Sequence, residues 1–345
     1  MRLNLLSFQY RSTDGYGRFA AYLARALQRA GHQVHCLLAE QCNAPGWMCE
    51  QWGIDWSAHA VSILPPFYLQ NTPVGSGPHW LLTMTEGSSL PLGWLETIRE
   101  SNVERVLVPC QHNADVFARG GVDLPISVVP GGIEPDDFPV ITSRPDRPYT
   151  FLALADRGAR KGWTETWAAF YKAFGTPTDT PDVRLIIKSR PDGNELLAMI
   201  ATAENLDPRI CCIMLDMDMA EFYAMGDCFV APSRSEGWGL PHRECSAMGI
   251  PVITQKYSGM DDGHVECWAI PLTRGRLEDI PASHEQIAGQ WLRADVDEVA
   301  ETMFWCYQNR TEAAQNGRRA AQWLRMNQSW LHSASALLAL IEEQS

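Results

Sequence analysis

The chain has 345 residues, more than a single hydrophobic core usually serves, so two domains are expected. With 46% hydrophobic and 20% charged residues, its composition is that of an ordinary folded protein rather than of a disordered one. The formal net charge of −13 disfavours extended contact with nucleic-acid phosphates or with anionic membranes.

The ten cysteines form no C-x-x-C pair, so neither a zinc knuckle nor a disulfide framework is expected. The N-terminal segment MRLNLLSF is too short and too polar for a secretory signal. No apolar run approaches the roughly 20 residues that a membrane-spanning helix needs. The sequence therefore predicts a cytoplasmic protein without stable membrane insertion.

The N-terminal half alternates between predicted strands and helices. A buried strand over 3–8 leads into a glycine loop, and apolar residues at helical spacing then continue to Gly31, where the helix ends. Segment 41–79 contains several Pro, Gly and Trp residues and has only weak periodicity. The other predicted elements are strands over 34–38, 80–84, 105–109 and 126–129 and helices over 92–101 and 112–119. This alternation predicts a doubly wound parallel sheet.

Proline and charged residues over 139–149 predict an interdomain linker. A second alternating series follows, and the remainder, about 284–342, is predicted to be mostly helical. The strands of the second series are predicted over 150–154, 183–188, 210–214, 227–231 and 251–254. Two successive Rossmann-like series imply a cleft, and such folds bind ligands at the carboxyl ends of their strands.

The most informative segment is Pro232–Ile253, which reads PSRSEGWGLPHRECSAMGIPVI. Its pattern predicts a strand end, a glycine turn, a short helix opened by Pro241 and a new strand after Gly249. Backbone N–H groups at the start of a helix can bind a diphosphate. Glu236 precedes this helix and Glu244 lies on its first turns, so the two carboxylates could accept hydrogen bonds from hydroxyl groups at different points of one ligand. A plain strand–turn–helix unit is the alternative.

This segment resembles the signature of glycosyltransferase family 4, whose retaining enzymes have the GT-B fold and carry an E-x7-E motif. The similarity covers the pattern P-S-x-x-E-G-x-G-L-P and then E-x-x-A-x-G-x-P-V-I. Three other segments also resemble the family: Val128–Phe138, Phe222–Asp227 and Ser329–Trp330. The resemblance is good over about 103–270 and looser towards both ends.

The resemblance implies an α/β chain of GT-B fold, in which two Rossmann-like domains face each other across a cleft. Residues 1–143 would form the acceptor-side domain and residues 144–326 the nucleotide-sugar donor domain. Residues 327–345 would form a closing helix that crosses back to the first domain.

The roles of the family's residues imply a donor site in the second domain. The first Glu of the signature binds sugar hydroxyl groups and the second binds the ribose, which gives these roles to Glu236 and Glu244. Backbone contacts to the sugar and the diphosphate would come from Gly237, Trp238, Gly239 and Leu240.

A departing nucleoside diphosphate gains negative charge, and the family supplies an Arg and a Lys to stabilise it. In the family's pattern G-R-x-x-x-x-K-G, the Lys corresponds to Lys161, but the Arg position holds Asp156. Arg157 is one residue out of register and is the cation assigned here, with Arg160 as another candidate. Lys188, after the next strand, is a weaker donor-site candidate.

The first domain offers further candidates. Gly15 and Gly17 replace the family's glycine-rich first loop, where glycine lets the backbone approach a ligand, although a tight turn alone would also explain them. The family often places a His after the fourth or fifth strand, and segment 82–87 has none. Glu86 is a polar substitute. His112 lies towards the cleft by topology, although helix capping or surface exposure fits it better.

No metal site is predicted. The D-x-D of Asp216–Asp218 precedes a helix, where a carboxylate at the helix N-terminus is explanation enough. Asp261 and Asp262 are predicted to shape a loop. The expected co-substrate is a nucleotide sugar, with UDP- and GDP-sugars as first candidates, and no other cofactor is expected.

The sequence thus predicts a retaining hexosyltransferase that works without a metal ion, with Lys161 and Arg157 stabilising the leaving diphosphate. Two alternatives stay open: a GT-B-fold nucleotide-sugar epimerase or hydrolase, and a non-catalytic module that binds sugar nucleotides. The acceptor also stays open among a glycan, a metabolite, a protein and a modified base. A tryptophan cluster could stack on a sugar or a base, although a core position is favoured for it: Trp47, Trp52 and Trp56.

Overall fold

The first helix begins directly after Asp14, which is its N-cap. The Asp14 carboxylate accepts a hydrogen bond from the Gly17 N–H at 2.8 Å, which satisfies one of the donors that a helix start leaves unpaired. Helix α1 (Gly15–Arg29) buries an apolar stripe that includes Phe19 and Leu23.

The computed structural model describes residues 1–7, 10, 14–38, 55, 57–71, 75–143, 146–155, 158–191, 207–281 and 287–344. The described strands are β1 (Arg2–Ser7), β2 (Gln33–Leu38), β3 (His59–Ile63), β4 (His79–Leu82), β5 (Arg105–Val108), β6 (Ile126–Val128), β7 (Tyr149–Leu154), β8 (Val183–Ser189), β9 (Ile210–Met214), β10 (Cys228–Ala231), β11 (Val252–Gln255), β12 (Ile270–Leu272), β13 (Gly275–Asp279) and β14 (Gln290–Ala294). The helices that follow α1 are α2 (Trp94–Glu100), α3 (Gln111–Arg119), α4 (Trp163–Phe174), α5 (Met219–Ala224), α6 (Leu240–Ala247), α7 (Val265–Trp268), α8 (Val296–Gln308), α9 (Arg310–Asn327) and α10 (Trp330–Gln344). Short 3-10 helices cover Pro66–Asn71, Gly158–Lys161 and Ser258–Met260.

The chain forms two units, and neither unit is one continuous stretch of sequence. Unit 1 consists of Met1–Glu134, Ile280–Gly289 and Gln328–Ser345, and unit 2 consists of Pro135–Asp279 and Gln290–Asn327. The chain therefore passes from one unit to the other four times. The domain limits drawn from the sequence stay predictions.

Unit 1 contains a six-stranded parallel sheet in the order β2-β1-β3-β4-β5-β6. Helix α10 packs against α1 in this unit, where the Trp330 ring lies edge-on to Phe19 at 4.8 Å and stacks on Tyr22 at 5.6 Å. Gly132 permits this arrangement, since a Cβ there would lie 2.3 Å from the Trp330 backbone N. The Ile133 N–H donates to the Gln328 carbonyl at 2.8 Å and joins the two segments.

Unit 2 contains a second six-stranded parallel sheet in the order β12-β11-β10-β7-β8-β9. Read from β9, this is the doubly wound order 3-2-1-4-5-6, whose direction reverses between β7 and β10. Strand β7 (YTFLAL) is a nearly continuous apolar run and β8 (VRLIIKS) has an apolar centre, because a parallel sheet is covered on both faces. The predicted α/β class with two Rossmann-like sheets is confirmed.

Two elements depart from the sequence-based expectations. Strand β3 lies inside 41–79, where periodicity was weak, yet it occupies the middle of the first sheet between β1 and β4. The expectation of a mostly helical 284–342 is confirmed from Val296 onward, whereas Gln290–Ala294 forms β14 and pairs antiparallel with β13. No described helix has the length and apolarity required to cross a bilayer.

Candidate functional site

Two loops of unit 2 leave the sheet at the point where its strand order reverses. The Gly158–Lys161 turn follows β7, and the loop Pro232–Gly239 follows the neighbouring strand β10. Both loops leave the carboxyl ends of parallel strands, and such a reversal is where doubly wound sheets bind ligands. The site predicted from the E-x7-E segment therefore lies where the topology favours ligand binding.

Glycine allows the two loops to touch. Gly162 has a φ of +67°, and a Cβ at this position would lie 2.2 Å from the Pro232 carbonyl oxygen. The Arg234 N–H donates to the Arg160 carbonyl at 2.7 Å, which adds a direct backbone link between the loops. Any residue other than glycine at 162 would push the turn away from the loop.

The contact between the loops brings a carboxylate against two cations. Lys161 Nζ donates to Glu236 Oε1 at 2.7 Å, and Arg160 Nη1 donates to Glu236 Oε2 at 2.9 Å. Arg160 Nη1 also donates to the Ser235 carbonyl at 2.8 Å. Lys161 and Glu236, both predicted from the sequence, are thus brought together, and Arg160 joins them.

The Glu236 carboxyl stays ionised between the two basic side chains. Burial by itself would raise the pKa of the Glu236 carboxyl, but the charges of Arg160 and Lys161 outweigh it and hold that pKa well below its usual range. With one carboxylate against two cations, a net positive charge remains. Lys161 carries three ammonium protons and Arg160 five N–H groups, and charged donors of this kind form strong hydrogen bonds with anionic ligands.

The start of helix α6 adds further anion donors. Gly239 is its N-cap with a φ of +80°, and Pro241 occupies the first turn, where its missing N–H costs nothing. The remaining N–H groups of this turn have no partner within the helix, and the helix dipole favours negative charge beside them. Gly237, Trp238, Gly239 and Leu240 lead directly into this turn, as the assigned backbone contacts would require.

A second loop braces Glu236 through its backbone. The Glu236 N–H donates to Ser258 Oγ at 2.9 Å, and the Glu236 carbonyl accepts from the Gly259 N–H at 2.9 Å. Ser258 has a φ of +53°, the only positive φ at a non-glycine position among the described residues. A Cβ on Gly259 would lie 2.4 Å from the Gly237 carbonyl oxygen. No motif pointed to a role for this Ser-Gly pair, and the only sequence signal for it is its position shortly after the strand β11.

Arg243 holds the end of the Pro232–Gly239 loop at Trp238. Its guanidinium carbon lies 3.7 Å from the centre of the Trp238 ring and 4.5 Å from that of Trp268. The same group donates to the Trp238 carbonyl, to the Gly259 carbonyl at 3.1 Å and to Asp262 Oδ2 at 2.8 Å. The Trp238 ring is thus committed to this packing. Asp262 also accepts from the Trp268 indole N–H, which confirms the predicted loop-shaping role of Asp262.

The second glutamate of the signature is buried inside α6. Glu244 Oε2 accepts a hydrogen bond from the Tyr223 hydroxyl at 3.4 Å. Its role as a ribose ligand stays a prediction. Lys188 is the penultimate residue of β8 and is buried at the carboxyl edge of the same sheet, beside the end of β7 in the strand register.

His242 packs under the loop Pro232–Gly239, called the signature loop below, and its imidazole is neutral. Its Nε2 is 3.2 Å from the Ala231 carbonyl and 3.4 Å from Ser233 Oγ. Burial lowers its pKa to about 4, although the charge of Glu236 opposes this shift. The neutral ring therefore carries its proton on Nε2, where it donates to the Ala231 carbonyl. No motif in the sequence pointed to a role for His242.

The candidates of unit 1 lie at the carboxyl edge of its own sheet. Gly15 and Gly17 are in the first turn of α1. Tyr16 lies between them in the sequence, and its hydroxyl donates to the Met84 carbonyl at 2.8 Å. His112 Nε2 lies 3.2 Å from the Gly87 carbonyl, next to the half-buried Glu86, and burial lowers the pKa of His112. His112 is thus bonded to the loop that carries Glu86.

The remaining candidates have different outcomes. Asp218 caps α5 by accepting from the Ala220 and Glu221 N–H groups, which confirms its helix-terminal role. Arg157, assigned as a catalytic cation, lies outside the described residues, as do Asp156 and the three tryptophans Trp47, Trp52 and Trp56. Among the described residues, no group of three or more His, Cys, Asp or Glu side chains is arranged to hold a metal ion.

Solved structures share this architecture over their full length. Sucrose-phosphate synthase from Thermosynechococcus elongatus has a TM-score of 0.72 at 14% identity, with 100% of this chain and 99% of that chain covered. HepE from Anabaena, solved with UDP and glucose, has a TM-score of 0.71 at 13% identity, with 99% of each chain covered. At these identities the likeness shows the fold, which is the GT-B fold of two parallel-sheet Rossmann-like domains.

A family model adds to this likeness. The model described as "Glycosyl transferases group 1" matches residues 137–266, a segment that contains Lys161, Glu236 and Glu244. A comparison with curated proteins found no match.

Proposed function

We propose that the chain is a retaining glycosyltransferase that moves a sugar from a nucleotide-sugar donor to an acceptor hydroxyl without a metal ion. The observation that carries this proposal is the ionised Glu236 held between Arg160 and Lys161 at the reversal of strand order. A sugar diphosphate needs cations for its phosphates and a carboxylate for its hydroxyl groups, and these groups lie side by side. The group 1 match covers the whole cluster.

The two cations serve the leaving group. The bond between the anomeric carbon and the diphosphate oxygen breaks, and negative charge grows on that oxygen. Lys161 and Arg160 stabilise this charge, and N–H groups at the start of α6 bind the same diphosphate. Among the described residues, Arg160 is the arginine that contacts Glu236, so we assign the second cation to Arg160, and the role assigned from the sequence to Arg157 stays a prediction.

Retention follows when the acceptor attacks from the face that the diphosphate leaves. The acceptor oxygen forms the new bond to the anomeric carbon, and its proton passes to the departing diphosphate oxygen, so no protein base is required. The protein then contributes orientation and electrostatic stabilisation. Glu236 would orient the sugar hydroxyl groups, and Glu244 the ribose.

A UDP-sugar is the first donor to test, because HepE was solved with UDP and with glucose. WaaG, a glycosyltransferase involved in lipopolysaccharide biosynthesis, shares the fold with a TM-score of 0.65 at 12% identity. A glycan hydroxyl is accordingly the first acceptor class to test. On the acceptor side, we assign Glu86 and His112, because His112, on the first turn of α3, contacts the loop that carries Glu86.

The test of the donor site is thermal stabilisation by UDP, GDP, ADP and their sugars. A ligand at about 100 times its Kd stabilises the folded state by about 2.7 kcal/mol. We expect one nucleotide to do so in the native protein and to lose most of this effect in Lys161→Met and Glu236→Gln. Lys172→Met is the matched control, because Lys172 also pairs with a carboxylate, Asp297, at an exposed position of the same unit. Failure of every nucleotide to stabilise the native protein would overturn the proposal.

The reaction itself is tested by product analysis with the donor that binds. Proton NMR of the glycosylated acceptor should show the anomeric configuration of the donor. An inverted product would refute retention, and full activity after exhaustive chelation is expected of a metal-independent enzyme. Free sugar or an epimer as the only product would favour the epimerase or hydrolase alternative, and binding without turnover would favour a binding module.

A further inference from the structure

Arg234 connects the signature loop to three other elements of unit 2. Two residues before Glu236, its Nη2 donates to Glu165 Oε1 at 2.7 Å, and its Nη1 lies 3.5 Å from Glu278 Oε2. The guanidinium carbon lies 5.2 Å from the centre of the Trp291 ring. The contacted residues belong to α4, β13 and β14.

The backbone of Arg234 makes two further links. Its N–H donates to the Arg160 carbonyl at 2.7 Å, and its carbonyl accepts from the Leu292 N–H at 3.0 Å. The first bond joins the signature loop to the turn that carries Arg160 and Lys161. The second joins it to the β13–β14 hairpin, so the loop is held from two sides.

Glu165 gives the arrangement its strength because it is a fully buried carboxylate. Its Oε1 accepts from both Arg234 and Arg293 at 2.7 Å, and its Oε2 accepts from the Thr164 hydroxyl at 2.8 Å. A buried charge is tolerated only when it is paired and hydrogen-bonded, so Glu165 requires its arginines in place.

Two contacts of Arg234, to the Arg160 carbonyl and to the Glu165 carboxylate, are together called the clamp, because they lie on either side of Lys161 in the chain. Glu165 lies on the first turn of α4, which begins immediately after Lys161 and Gly162. Arg234 therefore holds the chain on both sides of Lys161: through the Arg160 carbonyl before it and through the Glu165 carboxylate after it. Lys161 Nζ lies 2.7 Å from Glu236 Oε1, and Lys161 is between these two points in the chain.

We propose that Arg234 and Glu165 are positioning residues that set the Glu236 carboxylate and the Arg160–Lys161 cations in register for sugar transfer. This inference rests on the proposed function. It adds two residues whose side chains do not contact the side chains of Arg160, Lys161 or Glu236. Misplacement of the cluster by about 1 Å costs up to about 100-fold in rate. Helix α6, with Glu244, keeps its own contacts, so loss of the clamp lowers kcat far more than it raises the donor KM.

The structure offers a matched control at the other end of α4. Arg209 is also buried and pairs with a buried carboxylate, Asp207, at 2.8 Å, and it donates to the Phe174 and Gly175 carbonyls at the end of α4. Arg209→Met therefore removes a comparable buried ion pair that packs against the C-terminal end of α4, away from the signature loop.

Steady-state kinetics of Arg234→Met, Arg234→Lys, Glu165→Gln and Arg209→Met form the first arm of the test. We expect kcat to fall about 10- to 100-fold in Arg234→Met with a donor KM within about threefold of the native value. Arg234→Lys should recover part of kcat, and Arg209→Met should keep kcat while losing a similar amount of stability. Native kcat in folded Arg234→Met, or an equal loss in Arg209→Met, would overturn the inference.

The second arm does not require turnover. Acetylation of surface amines, followed by peptide mass spectrometry, reports how firmly Lys161 is held by Glu236, with exposed Lys172 as an internal reference. The ratio of Lys161 to Lys172 labelling should rise several-fold in Arg234→Met and in Glu165→Gln and stay native in Arg209→Met. An unchanged ratio in all three variants would overturn the clamp. Absence of turnover in the native protein would instead overturn the proposed function, and the labelling ratio would still decide the clamp.

Discussion

Replacing Gly162 by alanine tests the close approach on which the donor cluster depends. Two costs follow from the geometry. A φ of +67° costs a residue with a Cβ about 1–2 kcal/mol. The added methyl would also lie 2.2 Å from the Pro232 carbonyl oxygen, so about 1 Å of movement is needed to restore ordinary contact. Overpacking of this kind costs about 1–3 kcal/mol, which makes the total about 2–5 kcal/mol.

Gly263→Ala separates the two costs. Gly263 lies in the same unit and has a φ of +79°, but a Cβ there would meet nothing within 4 Å. This variant should therefore lose only the conformational part, about 1–2 kcal/mol. Urea unfolding of both variants with linear extrapolation gives the two free-energy changes directly.

The same pair of variants reports on the site. Since Lys161 precedes Gly162, the movement forced by the methyl displaces the ammonium group from Glu236, and stabilisation by the best nucleotide should fall in Gly162→Ala alone. Equal losses of unfolding free energy in Gly162→Ala and Gly263→Ala, together with native ligand responses, would refute the argument that the loops meet at this glycine.

Two further predictions concern titration and ion pairing. The pKa of His242 is about 4 in the folded chain and about 6.5 in the unfolded chain, so between these values the unfolded state binds the extra proton and the free energy of unfolding falls as pH is lowered from 7 to 4. His242→Gln should remove about 3 kcal/mol of that loss, measured by urea unfolding at several pH values, and an unchanged pH slope would contradict the assignment. In unit 1, both carboxylate oxygens of buried Glu134 accept from Arg29 Nη1 at 3.0 Å. Glu134→Gln should therefore lower the free energy of unfolding by about 1–3 kcal/mol, measured by thermal unfolding. A loss below about 0.5 kcal/mol would show that the pair contributes little.

The sequence predicted those elements whose own residues specify them. Strands β7 and β8 are apolar runs bounded by breakers, and α1 has a clear helical period, so each was placed within a few residues. The β13–β14 hairpin has no such signature: β13 is largely exposed, and its strand pairing depends on β14 across the hairpin and on the Leu292 bond to Arg234. Contacts of this kind are not encoded in local periodicity.

The site was predictable to the extent that its residues stand in recognisable motifs. Glu236 and Lys161 stood in recognisable patterns, and the structure joins them. The hydrogen bonds from Ser258 and Gly259 to Glu236 follow from no local pattern, because Ser258 lies 22 positions from Glu236 and the two meet only when β11 pairs with β10; the position of the pair after β11 was the only signal for them. The stacking of Arg243 between two tryptophans depends on the same long-range folding.

The four passages of the chain between the units bear on how the protein folds during synthesis. A ribosome that has released residues up to Glu134 has made the whole sheet of unit 1 but not helix α10, whose Trp330 covers Phe19 and Tyr22. The side of α1 that carries Phe19 and Tyr22 therefore stays uncovered by α10 until nearly two hundred further residues have been synthesised. Neither unit can be obtained by cutting the gene at one point, and a nascent chain stalled in unit 2 would present that α1 face to chaperones.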